Sequence, residues 1–336
     1  MLATSDPHPP IEITPEPIMR VAAGFMAAQH LFAAAEVGLF EALADRPARL
    51  DELAARTGLP VKTARIAADA MAALGLLTRD ASGAYANSSA SGAFLAGATP
   101  ADLRPFLAFW QRLSYPAWQD LPGAIRTGGG RGMSLDDPDD NEVFSAGVEA
   151  ITAGAAMAFA HVPELARAGR LLDVGGGTGS FLGAALAAHP DLEGTLVELP
   201  PVAAIARRRL DSTPRARVVD ADVFAEPLPQ AHDVLLLANV VHLFGRERNR
   251  ELLRRARRAA PDGATLLLVD FWTDPTHTEP ALAALMAGEF LLVTGEGDVY
   301  SVDEMAELLA ETGWDFAEAR PLAGPQTLIV ATARPA

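Results

Sequence analysis

The chemistry-bearing stretch is Leu-Leu-Asp-Val-Gly-Gly-Gly-Thr-Gly-Ser-Phe at 171–181, in which Asp173 precedes Gly175, Gly177 and Gly179 at alternate positions. Glycines clustered this way let the backbone approach a ligand that a β-carbon would hold off. The spacing is not that of a dinucleotide-binding turn. Counted from Gly175 the sixth position is Ser180, and counted from Gly177 it is Leu182, where that turn needs a small residue. No lysine follows, so it is not a phosphate-binding loop either. An acid ahead of the turn repels a pyrophosphate and attracts a cation. S-adenosylmethionine, a nucleoside with a sulfonium, an ammonium and no phosphate, meets that requirement.

Later acids fall in matching places. Glu198 closes the next apolar run, 25 residues after Asp173, where a carboxylate can accept both ribose hydroxyls. Asp222 ends the third run and can take a hydrogen bond from an adenine amino group, with Val223 and Phe224 packing on the base. His242 ends the fourth, over the place where a methyl group would point. An imidazole titrates near pH 6.5, so it can remove a phenolic proton as a bond forms. His30, His189, His232 and His277 lack this context and read as solvated or packed.

These residues require a frame that brings strand ends together. Residues 165–336 alternate apolar strands with helices, which specifies an α/β unit with a parallel sheet covered on both faces. In such sheets, ligands bind at the carboxyl ends of the strands, where strand order reverses. Residues 18–125 read as mostly helical. Met19, Phe25, Met26, Leu31, Phe32 and Leu39 share one broad apolar face at helical spacing. A helix from Leu50 stops at Gly58, a second runs from Pro60 and Val61 to Leu74, and a short hairpin follows, which makes a winged helix. Its second helix carries only Lys62 and Arg65, and the chain has 43 acidic against 27 basic side chains, a net charge of -16. That balance argues against nucleic acid or an anionic membrane as partner, and leaves dimerisation as the module's role. Residues 126–164 read as a linker and connecting helix, and residues 1–17 as a disordered, proline-rich start without signal-peptide character. No apolar run approaches the roughly 20 residues of a membrane span, so a cytoplasmic protein is expected. With no cysteine, disulfides, thiolate metal sites and cysteine nucleophiles are excluded.

LLDVGGGTGSF, the following LVELP, DADVF, ANVVHLF and the terminal Gly-Trp with two strands resemble the class I S-adenosylmethionine-dependent small-molecule O-methyltransferases. That family includes caffeate-type and acetylserotonin enzymes and bacterial enzymes that tailor polyketides and anthracyclines in antibiotic biosynthesis. The resemblance covers nearly the whole chain. It implies a Rossmann-like seven-stranded sheet, a winged-helix dimerisation domain, and a homodimer with interlocked N-terminal helices. It also implies S-adenosylmethionine as cofactor, with S-adenosylhomocysteine as product. By position it assigns Gly175, Glu198, Asp222 and Val223 to the cofactor, His242 to the general base in His242-Leu243-Phe244, and Asp270 to the acid that orients it. Where relatives carry a cofactor-contacting lysine or serine this chain has Ala238, which leaves a backbone contact, with Asn239 adjacent. A second acid of the family's site is replaced by Val299, with Glu296 a nearby candidate substitute.

The acceptor pocket is expected between the domains, lined by Trp110, Phe144, Met286, Phe290 and Thr294. An apolar, aromatic-lined pocket suits a flat aromatic or polyketide-like phenol. Methylation on carbon or nitrogen stays open, as does a tailoring reaction (hydroxylation, decarboxylation or a pericyclic step) that keeps the cofactor without methyl transfer. No metal is expected: His242 and Asp270 alone are too few ligands, and Glu289 could join them only through the fold.

Overall fold

Apolar runs broken by glycine and proline set the element boundaries in the computed structural model, which describes residues 13–99, 101–134 and 137–335. The chain divides into two compact units, Met1–Asp102 and Leu103–Ala336.

The first unit holds helices α1 (Glu16–Ala22), α2 (Gly24–Glu36), α3 (Leu50–Thr57) and α4 (Val61–Ala73), the hairpin β1 (Leu77–Arg79) and β2 (Tyr85–Asn87), and α5 (Ser89–Phe94). Gly58 ends α3 at φ 70°, a left-handed conformation that glycine adopts without penalty, and Pro60 caps α4. The Tyr85 hydroxyl donates to Asp69 at 2.5 Å and ties the wing to α4. The apolar face read at the N-terminus splits: Phe32 and Leu39 enter the core, whereas Met19, Phe25 and Met26 are exposed. The segment expected to be disordered lies mostly outside the described residues, but Glu16 and Pro17 already belong to α1.

The second unit begins with α6 (Arg104–Phe109), a π-helical turn over Trp110–Ser114, α7 (Tyr115–Ala117), α8 (Leu121–Thr127) and α9 (Pro138–Phe159). Then come β3 (Arg170–Val174), α10 (Ser180–Ala188), β4 (Glu193–Glu198), α11 (Pro200–Leu210), β5 (Ala216–Asp220), β6 (Val234–Ala238), α12 (Arg246–Ala259) and β7 (Thr265–Asp270). The chain closes with α13 (Ala281–Thr294), α14 (Val302–Glu311), β8 (Trp314–Ala323) and β9 (Gln326–Ala333). The strands form one 7-stranded sheet in the order β5-β4-β3-β6-β7-β9-β8, parallel except for β9, which runs antiparallel to both neighbours. Leu172, Leu235 and Leu266 face one buried layer and Leu171, Leu236 and Leu267 the other, so both faces of the sheet are covered. The chain leaves β3 toward β4 on one side and returns to β6 on the other. That reversal opens a crevice at the carboxyl end of β3.

The division falls at 102/103, earlier than the boundary read at 125, because α6 packs against α9 in the second unit. The stretch read as a linker is also fastened. Gly130 N donates to Gly295 O at 3.2 Å and Met133 N to Val293 O at 2.7 Å. A β-carbon at Gly130 would stand 2.2 Å from the Leu291 carbonyl oxygen. Contrary to the expectation for apolar runs, Glu16–Glu36 and Asp139–Phe159 are long and apolar enough to cross a membrane, by length and composition only. Alanine supplies much of that hydropathy, and α9 packs on α6, α10 and β8.

Candidate active site

Val174 is the last residue of β3 and Gly179 caps α10, so the glycine turn occupies the crevice. Gly175, Gly177 and Gly179 have φ of 69°, 57° and 88°, in the region that side chains avoid. Gly176 is needed for space: a β-carbon there would lie 2.6 Å from the Asp173 carboxyl group. Asp173 is fully buried beneath the turn, and among the described residues no well-formed hydrogen bond reaches either carboxylate oxygen, the Leu182 amide being its one weak polar neighbour. Burial, and next the charge of Glu198, push its pKa up to about 7, while the Leu182 amide opposes them. An orphaned buried carboxylate beneath a close-approach turn fits a cationic ligand.

Glu198 ends β4; its Oε2 accepts from Gly177 N at 2.9 Å and its Oε1 from Leu199 N at 2.8 Å. Desolvation raises its pKa against those two amides. A carboxylate offers about four lone-pair sites, so both oxygens can still accept from a ribose diol. Asp222 lies two residues past β5 rather than at its end, and its Oδ1 accepts from Phe224 N at 2.8 Å. Val223, within this turn, is partly buried against the core. Phe224 meets Phe244 edge-on at 5.0 Å, with the Arg248 guanidinium 4.4 Å over the first ring and 4.7 Å over the second. Ala238 is the buried last residue of β6. Asn239 turns the chain at φ 57°, and its side-chain oxygen accepts from Gln326.

His242 lies four residues past β6, in a 3₁₀ turn over Val241–Leu243, not on the strand. Asn249 Nδ2 donates to Val241 O at 2.8 Å and to Phe244 O at 2.9 Å, and Asp298 N to His242 O at 3.1 Å. The turn is therefore held from both sides. Asp270 ends β7, wholly buried, with Oδ1 2.6 Å from His242 Nδ1 and accepting from Phe271 N at 2.8 Å. A carboxylate at Nδ1 places the proton there and leaves Nε2 of the neutral ring as an acceptor. Among the described residues no group hydrogen-bonds Nε2. Phe290 stacks on the imidazole, centroids 3.6 Å apart at 12°.

Met286 and Phe290, one turn apart on α13, form a small apolar cluster with Ala283, Val299 and Phe271. Val299, read in the sequence as standing where relatives carry an acid, is buried in it. Glu296 does not substitute: its Oε1 accepts from Arg248 at 2.8 Å, on the exposed side. The Thr294 hydroxyl is used by the backbone, donating to Phe290 O at 3.0 Å and accepting from Gly297 N at 2.7 Å. Trp110 and Phe144 belong to another aromatic group, Trp110 4.3 Å from Phe106 and Phe144 edge-on to Phe109 at 5.3 Å. Among the described residues no ring contact joins that group to Phe290. The link is Glu289, whose Oε2 accepts from Ser114 Oγ and Trp118 Nε1, each at 2.6 Å. Sequence reasoning had placed Glu289 only as an auxiliary metal ligand; its signal was an acid inside an otherwise apolar helix. A separate hollow of about 560 Å³, bordered by Arg170, Arg215, Arg217 and His232, lies at the opposite, amino ends of β3 to β5.

A mixed seven-stranded sheet with a glycine turn at the point of strand reversal and a buried His–Asp pair after β6 and β7, preceded in the sequence by a winged helix, is the arrangement of a small-molecule group-transfer enzyme. Residues 119–315 match the O-methyltransferase domain and residues 19–97 the O-methyltransferase dimerisation domain. The chain is 34% identical over 317 residues to the 3-hydroxy-5-methyl-1-naphthoate 3-O-methyltransferase of Streptomyces sahachiroi, covering 91% of each. It is 29% identical over 326 residues to the tetracenomycin polyketide synthesis 8-O-methyl transferase TcmO of Streptomyces glaucescens, covering 94% of this chain and 96% of that one. The solved structure of PigF with SAH matches with a TM-score of 0.81 at 27% identity, over 95% of this chain and 100% of that one. The chain belongs to the S-adenosylmethionine-dependent O-methyltransferase family.

Proposed function

We propose that the chain methylates a phenolic hydroxyl of an aromatic, polyketide-like small molecule, with His242 as general base and Asp270 as the residue that orients it. The observation that carries this reading is the 2.6 Å contact between His242 Nδ1 and the buried Asp270 carboxylate, beside the glycine turn. The cofactor supplies an electrophilic methyl group on a positively charged sulfur. Asp173 faces its cationic part, Glu198 and Asp222 suit its sugar and base, and Val223 suits the base's flat face. The backbone at Ala238 and Asn239 completes that wall. A phenol titrates near 10 and is mostly neutral at pH 7. His242 Nε2 accepts its proton as the new bond forms, and Asp270 stabilises the imidazolium. General-base help of this kind is worth about 10²–10⁴-fold.

The apolar wall of Phe290, Met286 and Val299 suits a flat ring and excludes water from the imidazole. The two named relatives act on a hydroxynaphthoate and in polyketide synthesis, which supports the same acceptor class. The exposed apolar side chains of α1 and α2 and the matched dimerisation domain support a homodimer through the first unit. The biosynthetic relatives support a cytoplasmic setting.

Incubation with methyl-labelled cofactor and a panel of phenols, amines and quinones, followed by mass spectrometry, tests the assignment. Label on a phenolic oxygen is expected. Label on carbon or nitrogen, or no transfer to any acceptor, would overturn it.

A further inference from the structure

Glu289 is the buried acid that the proposed chemistry leaves unused. It sits on α13 next to Phe290, which covers His242, and one turn after Met286. Its side chain is 5% exposed. Oε2 accepts from Ser114 Oγ and Trp118 Nε1, both at 2.6 Å. Contacts that short to one oxygen are typical of an ionised carboxylate. Oε1 is buried and, among the described residues, has no hydrogen-bond partner. Among the described residues no cation pairs with Glu289. Its surroundings on α13 are apolar: Met286, Phe290 and Leu292. A carboxylate left half-satisfied in such a wall costs free energy unless something donates to it.

The place is specific. Glu289 bridges the apolar cluster against His242 and the Trp110–Ser114 turn with its continuation to Trp118. On the proposed reading, the acceptor that presents its hydroxyl to Nε2 lies along this helix, within reach of Glu289. Burial raises the pKa of Glu289, with Ser114 and Trp118 holding it down. A donor arriving at Oε1 would hold it down further.

We propose that Glu289 determines acceptor specificity: the acceptor carries, besides the hydroxyl that is methylated, a second hydrogen-bond donor on its ring system, a hydroxyl or an amino N–H, which Glu289 Oε1 receives. The proposal rests on the reading of His242 as the reacting end of the site, but its test does not require turnover. Ring systems bearing only one hydroxyl leave the carboxylate unsatisfied and bind weakly. A site that needs such a bond rejects analogues lacking it far more strongly than an apolar pocket can.

The test uses the full-length chain saturated with S-adenosylhomocysteine. Affinities are measured by calorimetry for 1-naphthol, 2-naphthol and the set of dihydroxynaphthalene isomers. At least one dihydroxy isomer should bind the wild type tenfold or more tightly than either naphthol. In Glu289→Gln, which places an amide donor at one of the two oxygen positions, that preference should collapse to within about threefold, with naphthol affinity unchanged. Equal affinities for mono- and dihydroxy rings in the wild type would overturn the proposal, even where the glutamine variant does not fold. So would a preference that survives in Glu289→Gln, or a loss that falls equally on both probes. If the preference is found but no methyl transfer to oxygen occurs, the specificity assignment stands and the proposed reaction fails.

Discussion

If Asp173 faces the cofactor as proposed, it ties cofactor binding to pH. In the folded protein burial, and next Glu198, push the Asp173 pKa up to about 7; in the unfolded chain a carboxyl of this kind stays near 4. The folded state therefore binds the extra proton, and this residue's contribution to stability declines as pH rises from about 4 to about 7. A cationic ligand favours the ionised form, so cofactor binding below pH 7 should release a proton. Calorimetry at pH 6 in two buffers of different ionisation enthalpy should show that release in the wild type. In Asp173→Asn it should vanish, with affinity at least tenfold weaker; identical heats and affinity would refute the role. Asp173, Glu198 and His242 could be singled out in the sequence because an apolar run announces a strand and the stretch at its end is where a sheet of this kind binds ligands. Glu289 was not, since its donors Ser114 and Trp118 lie 175 and 171 positions away. The ion pair of Glu296 was hidden for the same reason: its partner Arg248 is 48 residues distant.

Among elements, the alternation of strands and helices was plain because both faces of the sheet are covered and the central strands β3, β4, β6 and β7 are short and apolar. The strand ends were less plain. Val240 and Val241 continue the apolar pattern of β6, yet Asn239 at φ 57° turns the chain before them. The glycine-rich stretch after α8 was read as a linker because glycine signals both freedom and close approach. Here close approach decides, since Gly130 abuts the Leu291 carbonyl and straps the end of α13. Gly130→Ala should destabilise the protein by about 1–3 kcal/mol. Gly154→Ala, on α9 with nothing within 4 Å of the added carbon, should be neutral or stabilise by up to about 1 kcal/mol. Thermal or denaturant unfolding of the two variants checks this; equal stabilities would mean that the strap bears no strain.

For the whole molecule, the exposed side chains Ile18, Met19, Val21, Phe25 and Met26 on α1 and α2 form an apolar surface that water disfavours. Burial in a second copy removes that cost, and no apolar periodicity could tell such a face from a core. The double variant Phe25→Glu, Met26→Glu should run as a monomer in light scattering where the wild type is a dimer. A dimer that persists in the variant would place the interface elsewhere. The net charge of -16 keeps such an assembly soluble against further association.

The chemical claim is that a proton passes to His242 as the methyl group moves. The direct measurement is the single-turnover rate of His242→Ala with a phenolic acceptor, beside its affinity for S-adenosylmethionine. The rate should fall at least about 100-fold while the affinity stays at the wild-type value. A variant that transfers the methyl group as fast as the wild type would show that His242 takes no proton.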